Sequence, residues 1–295
     1  MNLRPHGPQP CALAKLSHAP QRKIIAKTTR KVNQIMRRII TFDFDMTLFD
    51  HASHSIPESA AAALKKLRQN GDIVVLATGR DMDNYYSNPM LDLFDADARI
   101  EQNGAKIVAD GKLIRNFLMD KKLLRDMMDY CREKKFGFGF TIGDCDYYVC
   151  EEVVREADRK KWGDCERNFR DPEELMKLDV RTALLYAPKK EVQIMEQKFP
   201  EAKFRMFDSI SSTDVMEQGC SKADGLTILC RYYGVDPKNT FSFGDSMNDY
   251  EIIKAAGKGI AMGNSCTELK EAADYVTTDI DRDGIRNGLL HFQLI

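Results

Sequence analysis

No stretch of this 295-residue chain stays apolar over the ~20 residues that a membrane-crossing helix requires. No apolar core of a secretory signal follows its N-terminus either. The eight cysteines contain no Cys-x-x-Cys pair and no histidine at close spacing, so zinc binding is not expected. They read as scattered reduced thiols of a cytoplasmic protein. Internal repeats and low-complexity tracts are absent. Acid is missing from one end: residues 1–38 hold nine Lys/Arg and no Asp/Glu. The remainder carries 35 basic and 45 acidic residues, a net of −10 hidden within a total of −1. An acidic body argues against a nucleic-acid partner.

The basic segment, residues 1–35, includes Pro5, Pro8, Pro10 and Pro20 and lacks an apolar period, so it reads as a disordered tail. An organelle transit peptide, a basic arm for an anionic surface, and an extension upstream of a start at Met36 all fit it. The last is favoured, because Met36-Arg37-Arg38 stands immediately before the first strand.

Beyond the tail, strand-like and helix-like segments alternate. That order predicts an α/β fold: a Rossmann-like parallel sheet with helices on both faces. Strands are expected at 38–44, 73–77, 240–243, 258–262 and 275–277. Helices are expected at 57–69 (started by Ser55 or Ser59, with Pro57 in its first turn), 221–233 and 248–256. Asp110-Gly111 predicts a hairpin over 105–116. Between about 117 and 216 the pattern changes to helix 121–134, strands 136–141 and 147–150, helix 151–161, strand 181–186, helix 188–198 and strands 203–208 and 213–217. This reads as an inserted α+β cap, leaving 36–116 and 217–295 as the catalytic core.

The chemistry-bearing residues cluster at strand ends. Asp43-Phe44-Asp45-Met46-Thr47 closes the first apolar run, and Gly244-Asp245-Ser246-Met247-Asn248-Asp249 comes after the run 240–243. Thr78-Gly79-Arg80 ends the second strand, and Lys222 opens a helix after the insertion. In open parallel sheets ligands bind outside the carboxyl ends of the strands, which gathers these residues into one place. A bend after Phe44 would give Asp43 and Asp45 different roles. One carboxylate can attack phosphorus, and the other can protonate a leaving oxygen and then deprotonate water. Asp43, Asp245 and Asp249 are hard oxygen donors suited to Mg²⁺. Lys222 supplies a point charge, and the Thr78 hydroxyl can donate to a phosphate oxygen.

In this order these residues resemble the four motifs of the haloacid dehalogenase superfamily of phosphatases. They are Asp43-x-Asp45-x-Thr47, Thr78, Lys222 and Gly244-Asp245-x-x-Asn248-Asp249. The Asn103-Gly104-Ala105 segment and a large α/β cap between the second and third motifs resemble its Cof-like subgroup (type IIB). The resemblance spans about 37–295. It implies that Asp43 is the nucleophile and Asp45 the general acid/base. Thr78, Gly79, Lys222 and Asn248 would bind phosphate. Mg²⁺ would be held by Asp43, Asp45 (through its main-chain carbonyl), Asp245 and Asp249. Arg80 and His51 are candidate substrate contacts. Met46 departs from the glycine common at its position. Tyr85, Tyr86, Tyr147, Tyr148 and Trp162 are expected to serve cap packing. The implied activity is Mg²⁺-dependent hydrolysis of a small phosphate ester, a sugar phosphate above all, through an aspartyl-phosphate. A phosphosugar mutase or phosphotransferase of the same fold, and a non-catalytic phosphometabolite-binding protein, are the alternatives.

Overall fold

The computed structural model describes residues 37–163, 166–206 and 212–295, with the backbone alone at 161 and 162. The tail expected over 1–35, the Trp162 side chain and the end of the strand expected at 203–208 lie outside the described residues.

Two central strands of the first sheet are buried runs, apolar but for Thr41. Strands β1 (Ile39–Phe42) and β2 (Ile73–Ala77) are buried throughout. Such runs suit a parallel strand covered on both faces. Alternation sends Ile40, Phe42, Val74 and Leu76 to one face. There they meet Leu64 and Leu67 of helix α1 (Glu58–Gln69) and residues of the C-terminal helix. Ile39, Ile73, Val75 and Ala77 meet Leu226 and Leu229 on the other face. Strand β3 (Ala98–Glu101) continues the parallel set, and β4 (Lys106–Ala109) and β5 (Lys112–Asn116) form an antiparallel hairpin on its edge. Asp110 and Gly111 both have positive φ, 48° and 71°, the conformation the tight turn requires.

The chain then leaves this sheet. Helix α2 (Lys121–Lys134) starts on an Asp120 cap that accepts from two backbone N–H groups. Next come strands β6 (Gly137–Ile142) and β7 (Cys145–Val149), helix α3 (Glu151–Trp162), strands β8 (Phe169–Arg170) and β9 (Thr182–Tyr186), helix α4 (Lys189–Lys198) and strands β10 (Ala202–Met206) and β11 (Ser212–Glu217). Their sheet has the order β10-β11-β9-β6-β7-β8 and its own core around Met127, Phe138, Leu185 and Val215. Tyr148 packs against Val154 and Tyr186 in this unit, while Tyr85 and Tyr86 stack on each other at 3.8 Å, half exposed.

Helix α5 (Lys222–Tyr233) returns to the first sheet, capped by Ser221 and closed by Gly234 in the left-handed conformation. Strand β12 (Thr240–Gly244), helix α6 (Tyr250–Ala255), strand β13 (Lys258–Ala261), helix α7 (Thr267–Ala272), strand β14 (Tyr275–Val276) and helix α8 (Gly284–His291) complete the chain. The full order is β14-β13-β12-β1-β2-β3-β4-β5, parallel from β14 to β3.

Three local readings are corrected. Strand β1 ends at Phe42, before Asp43 rather than at residue 44. Neither Ser55 nor Ser59 caps α1; Pro57 stands at that position without a side-chain bond, and the Ser59 hydroxyl is buried without a partner among the described residues. The helix expected at 248–256 begins as a 3₁₀ turn at Met247–Asp249, because Asp249 folds back to cap it.

Candidate active site

Register sets the site. Phe42 pairs with both Phe243 and Leu76, so the carboxyl ends of β1, β12 and β2 are level. Asp43, Asp245 and Thr78 emerge there side by side. The chain bends after Phe44: Leu48 and Phe49 both donate to its carbonyl, and Met46 takes φ 59°. That left-handed value disfavours a side chain by roughly 1–2 kcal/mol. The position is held by Met46 N–H donating to Phe49 and by Asn264 Nδ2 donating to the Met46 carbonyl at 2.8 Å. The Met46 side chain is half-buried against the core. Relief of strain and loss of contact oppose each other, so Met46→Gly should change unfolding free energy by no more than about 1 kcal/mol. Urea denaturation of the two proteins measures it.

Lys222 is the first residue of α5, and only 1% of it is exposed. Its ammonium donates to Asp43 Oδ1 and Asp249 Oδ1, both at 2.6 Å. Burial alone would lower its pKa, but Asp249 and Asp43 reverse this and raise it. Oxygens of Asp43, Asp245 and Asp249 lie within 4.8 Å of one another. Burial, opposed by Lys222 and reinforced by Asp249 and Asp45, pushes the Asp43 carboxyl up to about 7. Burial together with Asp43 and Asp249 also raises Asp245. The Thr47 hydroxyl donates to Asp245 Oδ1 at 3.1 Å.

Two unlike carboxylates stand two residues apart. Burial would raise Asp45, but the Arg80 bond and then His51 carry its carboxyl well below the usual range. Arg80 grips it through both oxygens at 2.7 Å, and His51 Nε2 lies 2.8 Å from Oδ1. Arg80 and His51, expected as substrate contacts, are therefore partners of Asp45 in this structure. The Asp45 side chain stands outside the acidic cluster, so among its atoms only the main-chain carbonyl is left as a candidate metal ligand.

The donor set fits a hard divalent cation. Among the described residues, Asp43 Oδ2 and Asp245 Oδ2 accept no hydrogen bond. Asp249 is already committed: its Oδ1 accepts from Lys222 and its Oδ2 from the N–H groups of Asp245 and Ser246. Asp43 and Asp245 are thus the open donors, and Asp249 fixes the loop and the lysine. Raised carboxyls bind protons more tightly folded than unfolded. The stabilisation from Asp43 is full below about pH 4 and lost as pH rises through about 7, and the raised Asp245 acts in the same direction. Without metal, the melting temperature should therefore fall between about pH 5.5 and pH 8, and Mg²⁺ should restore it at pH 8. Calorimetry in EDTA and in Mg²⁺ checks this; a metal-free melting temperature that rises over that range would contradict it.

Thr78 is buried, and its Oγ1 accepts from Arg80 N–H at 3.1 Å, leaving the hydroxyl proton to donate elsewhere. An ion cluster, buried except at Asp83, supports this loop. Lys106 Nζ lies 2.9 Å from Glu101, 2.5 Å from Asp83 and 3.5 Å from Asp81, and Glu101 accepts Met82 N–H. Gly104 must be glycine: a Cβ there would stand 2.0 Å from the Ser221 carbonyl, one residue before Lys222. Asn248 Nδ2 donates to Asn103 Oδ1 at 3.4 Å, and Asn103 Nδ2 donates to Asp214 Oδ2 of β11 at 2.7 Å. Sequence reading missed Glu101, Lys106 and Asp214, which belong to no local motif.

The second unit leans over this site. Tyr85 N–H donates to the Gly143 carbonyl at 3.0 Å, and Arg205 pairs with Glu251 at 2.7 Å. Beside the Arg205–Glu251 pair runs a cleft of about 550 Å³, lined by Val192, Phe204, Met206, Met247, Tyr250 and other residues, and Asp43, Thr78, Lys222 and Asp245 are not among them.

A family model of haloacid dehalogenase-like hydrolases matches residues 40–289. YkrA, a candidate phosphatase of Bacillus subtilis (strain 168), is 30% identical over 259 residues, covering 84% of this chain and 95% of its own. Among solved structures, BT1666 of Bacteroides thetaiotaomicron, from a study of haloalkanoate superfamily phosphatases, aligns with TM-score 0.80 at 27% identity, over 92% of this chain and all of its own. The subclass IIB sugar phosphatase BT4131 aligns with TM-score 0.77 at 26% identity, over 88% and 100%.

Proposed function

This chain belongs to the haloacid dehalogenase-like hydrolases and is a phosphatase among them; on that premise we propose that it hydrolyses small phosphorylated metabolites, sugar phosphates above all, with Mg²⁺ and through a phosphoryl group carried on Asp43. The observation that carries this reading is the convergence of Asp43, Lys222 and Asp245 at the ends of β1, α5 and β12, with one Asp43 oxygen held by Lys222 and the other open. The similar BT4131 is a sugar phosphatase, which favours sugar phosphates as the substrate class.

Asp43 Oδ2 attacks phosphorus while Lys222 and the Thr78 hydroxyl hold the phosphoryl oxygens. The ester P–O bond breaks, and Asp45 gives its proton to the leaving oxygen. Asp45 then takes a proton from a water that attacks phosphorus, and the bond to Asp43 breaks to release inorganic phosphate. When bound, Mg²⁺ neutralises charge so that an anionic carboxylate can approach an anionic ester. Arg80 gives Asp45 its two states. With Arg80 on it, Asp45 is ionised and ready as a base. An arriving phosphate ester draws the guanidinium away, and Asp45 can then hold a proton. Arg80 thus exchanges one anion for another, as its fixed fork allows.

The test is a Mg²⁺-supported assay over hexose, pentose, polyol and aryl phosphates, scored by kcat/KM and by product. Free phosphate is expected. An isomerised sugar phosphate would make the protein a mutase, and no turnover of any ester would remove the reading.

A further inference from the structure

Asp214 belongs to the second sheet, yet it is 7% exposed and lies against the catalytic loops. Its Oδ2 would stand 3.1 Å from a Cβ on Gly79, so the glycine after Thr78 leaves room for this carboxylate. Burial, opposed by Asn103 and Lys222, pushes its carboxyl up to about 7. A buried acid that accepts a single hydrogen bond among the described residues costs stability and calls for an explanation.

The explanation lies in what it orients. Asn103 takes φ 51°, between Gln102 and Gly104, which also have positive φ. Three such residues in succession aim the Asn103 side chain at Asp214. Asn103 Nδ2 donates to Asp214, and the ionised carboxylate, which only accepts, holds the Asn103 amide with its NH₂ toward Asp214 and its oxygen the other way. That oxygen accepts from Asn248 Nδ2, which turns the Asn248 oxygen toward Ser246, whose hydroxyl donates to it at 2.7 Å. Each amide has one donating and one accepting end, so the chain has one direction. It runs from β11 across the 102–104 turn to the loop that carries Asp245 and Asp249.

We propose that Asp214 is a positioning residue: it fixes the Asn103 amide and, through it, the orientation of Asn248 in the loop that presents Asp245. This rests on the function proposed above. Asp214 acts whatever the leaving group, because the relay ends at the phosphoryl side of the site.

Two variants separate this role from substrate contact. Asp214→Asn keeps an oxygen for Asn103 and should retain kcat within about threefold of wild type. Asp214→Val removes the acceptor and should lower kcat about tenfold, the worth of one hydrogen bond. The loss should be equal for a polyol phosphate and an aryl phosphate, with KM little changed. A wild-type kcat in Asp214→Val would overturn the role, and so would a loss confined to the polyol phosphate. A readout independent of turnover is the NMR signal of the Asn103 and Asn248 side-chain amides in the wild-type protein. Protected, hydrogen-bonded Nδ2 protons on both are expected, and free exchange on Asn103 would overturn the relay even if Asp214→Val fails to fold. If no ester is turned over, the functional reading fails while the amide measurement still decides the relay.

Discussion

Asp43→Asn should lose phosphatase turnover by about 10⁴-fold or more, the scale on which an enzyme responds to removal of its attacking group. Asparagine keeps the shape and an oxygen for Lys222 but cannot attack phosphorus. The fold should tolerate it for a reason visible in the charges. Burial already pushes the Asp43 carboxyl up to about 7, so the neutral amide resembles the protonated acid. Near pH 8 without metal, the amide should melt no lower than wild type, because one of three crowded carboxylates is gone. Comparing kcat and melting temperature for the two proteins checks both parts. Full activity would remove Asp43 as nucleophile.

Lys222→Met should combine a catalytic and a structural loss. The ammonium bridges Asp43 and Asp249 at 2.6 Å and is fully buried. Methionine fills much of the volume but leaves the carboxylates without their cation. Removing one partner of a buried ion cluster typically costs about 3–5 kcal/mol, since the charge left behind has neither water nor a counter-ion. The expected loss is largest near pH 8 in EDTA. It should shrink as pH falls through about 7, where Asp43 binds a proton, and shrink again in Mg²⁺. Turnover should fall about 10²–10³-fold, the scale for losing one preorganised charge that faces the transition state. Urea denaturation at two pH values, with and without Mg²⁺, reads the first effect and kcat reads the second. A stability loss independent of pH and metal would mean that Lys222 acts by packing.

What was legible in the sequence was whatever a short window dictates. Ile39–Phe42, apolar but for Thr41, and Ile73–Ala77, apolar throughout, read as strands covered on both faces. Asp43 and Thr78 each stand just past such a run, and Asp245 just past the strand Thr240–Gly244. Level strand ends then bring them together, as the pairing of Phe42 with Phe243 and Leu76 shows. Met46 was recognised as unusual, and its φ of 59° supplies the reason. Pairings between distant segments were not legible. Nothing near Asp45 announces that Arg80 and His51 hold its carboxylate. Glu101 and Lys106 read as ordinary members of strands β3 and β4, yet they pin the loop that carries Arg80. Asp214 reads as one polar residue in a strand, and only the packing of the second sheet over Gly79 brings it to Asn103.

The most direct test of the account is an acid quench of the wild-type enzyme during turnover of a phosphate ester, with peptide mapping by mass. A phosphoryl group on the peptide containing Asp43, absent from Asp43→Asn, is the predicted result. Turnover with that peptide unmodified and the phosphoryl group on another residue would contradict it.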